Sequence, residues 1–345
     1  MSTATNNHER DWGTKIAIIV TWFGNLPPYF SAWLKSAEEN KDVDFLVFCD
    51  HDIASKSVNI KSFKMTMEET LQLFEKKLGR SINIKNSYKF CDCRAFFGIT
   101  YADYLKEYDF WGYCDIDLVF GNIREFLTDE VLAAHDRFYQ YGHLCIFRNN
   151  YRINHLYDLP GGIYSLNEIF SGAAKTTPEE HFGLNRICIK NNIRWYTRVD
   201  FADFAIKYPQ RLEVKHGLMN YSEQIFVWHQ GRAIRFYREN GEVKQEEFVY
   251  MHWQKRKPTI DDGIEEDSYV VLTGDKLVVL PGDTNIETLD FSIFNGNVSG
   301  VERKKYRKIY TKKKLSEFRK ADFSTKKMWM RQKFFKLIDG KQKYQ

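Results

Sequence analysis

The chain has 345 residues, 28% charged, 43% hydrophobic and 16% aromatic, a composition that buries a core and excludes disordered, collagen-like and low-complexity classes. No apolar run of about 18 residues occurs, which excludes a membrane-spanning helix. The overall charge of +5 conceals an asymmetry: residues 301–345 hold 17 Lys and Arg against Glu302, Glu317, Asp322 and Asp339, a net of +13, which leaves the first 300 residues at −8.

In chain order, Lys15–Thr21 is a β-branched run suited to a buried parallel strand. A loop, Trp22–Pro28, leads to helical spacing over Tyr29–Ala37, and Val43–Cys49 is a second strand ending on Asp50. Met65–Leu78 has helical periodicity, with Thr66 and Glu69 as a capping box and Gly79 as its stop. Ile99–Leu105 is predicted helical, and Phe110–Cys114 is a strand running into Asp115-Ile-Asp117. Phe138–Phe147 then alternates like one strand, and Pro178–Asn191 reads as a helix. Two hairpins follow: Ala233–Tyr237 with Glu242–Tyr250 around Asn240-Gly241, and Tyr269–Leu272 with Lys276–Leu280 around Gly274-Asp275. This order predicts an α/β domain over 1–220, a β-hairpin-rich section over 221–300 that completes its site, and a basic aromatic tail over 301–345. The six cysteines lie mostly in apolar runs, and Cys91-Asp-Cys93 lacks partners at zinc spacing, so buried thiols are expected. The polar first ten residues lack the apolar stretch of a signal peptide, and a cytoplasmic location is expected.

Asp115 and Asp117 carry the chemistry. On a strand, residues two apart face the same side, so both carboxylates can bind one hard divalent cation. Such an ion bridges carboxylate to diphosphate and neutralises a departing nucleoside diphosphate. The alternative is a solvated strand end.

The stretch Tyr88-Lys-Phe-Cys-Asp-Cys-Arg94, with Tyr108-Asp-Phe-Trp-Gly-Tyr-Cys-Asp-Ile-Asp-Leu-Val-Phe-Gly-Asn122, resembles bacterial capsule and O-antigen glycosyltransferases of the GT-A fold, galactofuranosyltransferases among them. The resemblance runs from Ile16 to about Asn192 and resumes at Tyr250–Lys257. It implies a GT-A-like, Rossmann-like domain with a mixed central sheet and a UDP-sugar donor. It further implies that Thr21, Trp22 and Phe23 lie against the base and that Asp50 meets base or ribose. Lys89, Asp92 and Arg94 would approach ribose, diphosphate or sugar, and for Asp92 and Arg94 a loop-orienting ion pair is the competing reading. Asp115 would contact ribose or metal, Asp117 would ligate Mn²⁺ or Mg²⁺, and His252 is the candidate third ligand, with Lys255 and its basic neighbours holding the diphosphate.

Inverting transfer needs a carboxylate to take the acceptor proton. Pro178 fits a first helical turn, with Glu179 and Glu180 at the positive end of the dipole. By similarity to inverting GT-A enzymes Glu180 is the base, although which of the pair reaches the acceptor stays open. In the tail, Ser324 and Thr325 are candidate caps, and Met330, Phe334, Leu337 and Ile338 draw an apolar stripe with basic flanks. That pattern suits an anionic membrane surface on the inner face of the cell membrane and a lipid-linked glycan acceptor. No nucleic-acid signature is present. The competing functions are a nucleotidyltransferase, disfavoured by a first loop with one glycine and two prolines, and a non-catalytic glycan-binding protein.

Overall fold

The computed structural model describes residues 13–85, 87–171, 174–205, 210–254, 256–260, 264–265, 267–273, 276–294 and 316–339. Its strands are β1 Ile16–Trp22, β2 Val43–Cys49, β3 Ile60–Lys64, β4 Phe110–Cys114, β5 Leu118–Phe120, β6 Arg137–Phe138, β7 Leu144–Arg148 and β8 Trp195–Tyr196. They continue with β9 Ala202–Asp203, β10 Gln224–His229, β11 Arg232–Glu239, β12 Glu242–Phe248, β13 Tyr250–His252, β14 Thr259–Ile260, β15 Tyr269–Leu272 and β16 Lys276–Leu280.

The fold is a mixed α/β architecture. Seven strands form one sheet in the order β3-β2-β1-β4-β7-β6-β8. The β1–β2, β1–β4 and β2–β3 pairs are parallel, whereas β7 runs antiparallel to β4 and β6. Both faces are covered: in β1, Ile16, Ile18 and Val20 enter one core layer while Ala17 and Ile19 enter the other. Such a strand has no polar face, which is why its sequence is a continuous apolar run.

A second sheet, β12-β11-β10-β15-β16-β14, packs against the first layer through Phe226, Trp228 and Ala233. Trp228 Nε1 donates to the Phe120 carbonyl at 2.8 Å. The turn between β11 and β12 is Asn240-Gly241, both at positive φ, as a tight hairpin between twisted strands requires. A small third sheet, β5-β13-β9, joins the two sections.

Several elements differ from the sequence reading. Phe138–Phe147 is two antiparallel strands, because the chain turns back between Phe138 and Leu144 and the apolar alternation on both arms hides the turn. The long arm Glu242–Tyr250 divides at Val249, whose N–H leaves the hairpin for the Asp200 carbonyl, and Tyr250–His252 joins a different sheet. The helix expected over Ile99–Leu105 shrinks to one helical turn, Phe97–Thr100, which continues a 3₁₀ stretch, Ser87–Phe96, and gives way to turns over 101–104. The strand β3 carried no signal. The turn Gly274-Asp275 lies outside the described residues, although its strands β15 and β16 pair as expected.

The helix Met67–Leu78 has the capping box: Thr66 Oγ1 accepts from the Glu69 amide at 3.2 Å, and the Glu69 carboxylate accepts from the Thr66 amide at 2.8 Å. Thr66→Ala is expected to lower stability by about 1 kcal/mol, measured from urea unfolding midpoints, because one orphan amide loses its acceptor.

Candidate functional site

The C-terminal ends of the parallel strands open onto a cavity of about 440 Å³. The end of β1 supplies Thr21, Trp22 and Phe23, the bend after β4 supplies Asp115, Ile116 and Asp117, and β13 supplies His252. Crossover connections place such a crevice beyond the carboxyl ends of the strands, where ligands of α/β sheets bind. Asp115 and Asp117 sit on a bend between β4 and β5 and not on a pleated strand, and both still line the cavity.

One ligand atom each from Asp115, Asp117 and His252 lies within 4.8 Å of the others, a spacing one cation can span. Two carboxylates and an imidazole are a suitable donor set for Mn²⁺ or Mg²⁺. A second group, His143, Asp203 and His252, meets the same distance limit. The His252 ring stands between two carboxylates, with Nε2 at 3.3 Å from Asp117 Oδ1 and Nδ1 at 2.9 Å from Asp203 Oδ1. Burial opposes charging this ring, but the Asp117 charge and hydrogen bonds to Asp117 and Asp203 push it up to about 10. His143, its ring centroid 3.9 Å from that of His252 at a 30° tilt, is pushed down to about 3 by burial and by His252. Burial with the nearby charges of Asp117 and Asp115 raises the Tyr29 hydroxyl to about 12, so it lines the cavity as a neutral donor.

Cations face this acidic corner. Arg94 Nη2 donates to Asp115 Oδ1 at 2.6 Å, and Arg94 Nη1 donates to the Gly142 carbonyl at 3.0 Å. Although burial favours the neutral carboxyl, Arg94 holds Asp115 below the usual carboxylate range. Lys175 lies 4.5 Å over the Tyr88 ring, and Lys215 stands 3.5 Å from Asp203. Both lysines, with Tyr29, Tyr88, His143, Asp203 and Gln254, line the cavity.

Of the residues expected at the site, Thr21, Trp22, Phe23, Arg94, Asp115, Asp117 and His252 come together. Asp50 does not join them: its carboxylate accepts from the Gly24 amide at 3.1 and 3.2 Å and so fixes the loop after β1. Lys89 and Asp92 are a buried ion pair at 2.8 Å, and Asp92 also accepts from Thr176 N, Thr176 Oγ1 and Thr177 N. They clamp the segment 174–177 instead of facing the cavity. Lys255 lies outside the described residues.

Glu179 and Glu180 do not open a regular helix, because His181–Asn185 forms a π turn and the α-helix begins at Arg186. Gly183 permits this: a Cβ there would lie 1.8 Å from the Pro178 carbonyl oxygen. Neither carboxyl is among the cavity-lining residues. Glu180 Oε1 accepts from the Gly142 amide at 3.0 Å, so one residue, Gly142, links Glu180 to Arg94 through its N–H and its carbonyl. Glu179 is only 1% exposed. Sequence reasoning missed Lys175, Lys215, His143 and Asp203. Only Asp203 left a trace, as a carboxylate inside the apolar run Phe201-Ala-Asp-Phe204. Cys91 and Cys114 also line the cavity; Cys91 is half-buried, and the other five thiols are buried as expected.

A family model described as a family of unknown function (DUF6625) matches residues 18–281. No curated protein matches. Among solved structures, this chain is similar to the galactosyltransferase LgtC in complex with donor and acceptor sugar analogs, at 12% identity and a TM-score of 0.34, over 55% of this chain and 75% of that one. It is also similar to the glycosyltransferase GlyE of Streptococcus pneumoniae TIGR4, at 14% identity and a TM-score of 0.29, over 53% of this chain and 45% of that one. The apo-form GlyE structure gives 16%, 0.31, 59% and 48%, so this chain spans under half the length of the GlyE chains. Likenesses this partial carry no activity, and the chemistry rests on the residues themselves.

Burial pushes the Glu179 carboxyl up to about 8, with the Glu180 charge adding to the effect. The folded chain then holds a proton that the unfolded chain, with an ordinary value of 4.5, has lost, so this group removes stability as pH rises from 4.5 to about 8. Glu179→Gln is expected to melt above wild type at pH 8 and level with it near pH 4.5. A gap that stays constant across that range overturns the buried-acid assignment.

Proposed function

The chain belongs to the family of unknown function DUF6625, and we propose that it is a metal-dependent glycosyltransferase that moves a hexosyl unit from a nucleotide sugar to a glycan acceptor. The observation that carries this reading is one cavity combining three kinds of group: the cation donors Asp115, Asp117 and His252, the cations Arg94, Lys175 and Lys215, and the rings of Trp22, Phe23 and Tyr88. A nucleoside diphosphate presents the complementary set, a base to stack and two phosphates to neutralise.

Asp115, Asp117 and His252 would hold Mn²⁺ or Mg²⁺, which supplies Lewis-acid neutralisation of the leaving diphosphate when bound. Arg94 fixes one oxygen of Asp115 and leaves the other for ligation. Lys175 and Lys215 bring positive charge to the phosphates, and the end of β1 receives the base, for which uridine is favoured by the resemblance in the sequence. We assign removal of the acceptor proton to Glu180 and not to Glu179: Glu180 lies outside the cavity lining but is partly exposed and tied through Gly142 to Arg94, while Glu179 is enclosed. A base opposite the leaving diphosphate corresponds to inversion, and a galactofuranosyl donor is within this reading.

The expected outcome is a Mn²⁺-dependent rise in melting temperature with UDP, corresponding to about 2.7 kcal/mol of added stability at 100 times the Kd. Asp117→Ala should abolish the metal dependence. A UDP shift of equal size in wild type without metal and in Asp117→Ala would overturn the metal-bridged donor site.

We read the acceptor as lipid-linked, from the helix Phe323–Asp339. Among the described residues no helix is long and apolar enough to cross a membrane. Asp322 caps this helix by accepting from the Thr325 amide at 2.7 Å, so Ser324 and Thr325 lie inside its first turn and are not its caps. One face docks on the body through buried Met328, an Arg331–Glu168 ion pair at 2.6 Å, Gln332 to the Tyr164 hydroxyl, and an Arg186–Asp339 ion pair. The opposite face leaves Met330, Phe334, Leu337 and Ile338 exposed, Leu337 by 76% and Phe334 by 59%. Exposed Lys327, Lys333 and Lys336 accompany them, each adding roughly 1 kcal/mol near an anionic leaflet. The complementary partner is the cytoplasmic face of a membrane. The full chain is expected to sediment with phosphatidylglycerol vesicles and Phe334→Ser/Leu337→Ser to remain in solution; equal sedimentation of both would remove the membrane role.

A further inference from the structure

The small sheet β5-β13-β9 sets three residues side by side. Its register pairs Leu118 with His252 and His252 with Asp203, and the Trp253 amide donates to the Asp117 carbonyl at 3.2 Å. Directly paired residues of neighbouring strands project from the same face, so Asp203 and His252 must meet. They do, through Nδ1–H of His252 donating to Asp203 Oδ1 at 2.9 Å.

Asp203 is 1% exposed, and its oxygens are fully engaged. Oδ1 also accepts from Gln254 Nε2 at 3.0 Å, and Oδ2 accepts from His216 Nε2 at 2.8 Å with Lys215 Nζ at 3.5 Å. A carboxylate spent in this way is poorly placed to ligate a cation. It is well placed to hold a ring: with the Nδ1 proton committed to Asp203, Nε2 of His252 is the nitrogen that faces Asp117 and the one that gives up its proton to a cation.

We infer that Asp203 is a positioning residue for the cation site, fixing the tautomer and ring orientation in which His252 presents Nε2 beside Asp117, with His216 steadying the carboxylate from its other oxygen. This rests on the metal reading proposed above. It assigns the His143, Asp203 and His252 group to support, and the Asp115, Asp117 and His252 group to ligation.

The test is titration of Mn²⁺ into the full chain, followed by the electron paramagnetic resonance of the free ion. Wild type should bind one ion, Asp117→Ala should lose it, and Asp203→Asn should bind about 10–100-fold more weakly. In the Mg²⁺-loaded wild-type chain, the ring nitrogen spectrum should put the single proton of His252 on Nδ1, a readout that stands even if Asp203→Asn does not fold. Absence of saturable Mn²⁺ binding by wild type would overturn the metal reading itself. Binding by wild type with unchanged affinity in Asp203→Asn, or a ring proton on Nε2, would overturn the positioning role alone. Retention by Asp117→Ala with complete loss in Asp203→Asn would overturn it by making Asp203 a ligand.

Discussion

The site depends on the pairing of three very short strands. Tyr250–His252 lies between Leu118–Phe120 and Ala202–Asp203, and no other described strands bring the region after Asp117 and the run around Asp203 into one sheet. A slip of one residue in this register would turn His252 away from both carboxylates. The register is pinned from outside by buried side chains: Tyr250 stacks on Phe201, and Met251 is fully enclosed. The apolar packing of this small sheet therefore does the work of electrostatic preorganisation, because it brings together charges that would separate in water.

Charge inside the cavity is balanced locally. Asp115 has Arg94, Asp117 has His252, and Asp203 has His216 and His252. A buried carboxylate without such a partner would neutralise itself, as Glu179 does. The separation of His143 and His252, one ring driven neutral and the other charged while in contact, follows from the same rule: burial opposes a charge on His143, the carboxylates hydrogen-bond His252, and two adjacent positive rings are disfavoured.

Local signals in the sequence were legible where chemistry and backbone coincide. Asp115 and Asp117 stand one residue apart and end an apolar strand, so spacing alone exposes them, although the backbone there is a bend. His252 stood out against an apolar strand. The capping box at Thr66 and the Asn240-Gly241 turn are equally local. Long-range placement was not legible: Asp203 comes from a two-residue strand whose role depends on a partner 49 residues away. Lys89 and Asp92 look like ligand-binding residues because they are charged, yet they are spaced to pair with each other on a 3₁₀ stretch that packs inward. The break at Glu180 needs the contact between Gly183 and Pro178, which no periodicity encodes.

The helix Phe323–Asp339 lies beyond the span matched by the family model, yet it grips residues within that span on both sides of the clamped segment 174–177. Arg186 is held twice, by Asp339 and by the Phe335 ring at 4.6 Å, and Glu168 is held by Arg331. This helix thus acts as a strap across the wall that carries Glu179 and Glu180. Cutting it away would strip a surface and unfasten that wall in the same stroke, so a shortened chain would confound the two. Only exchanges on the outward stripe leave the buckle closed.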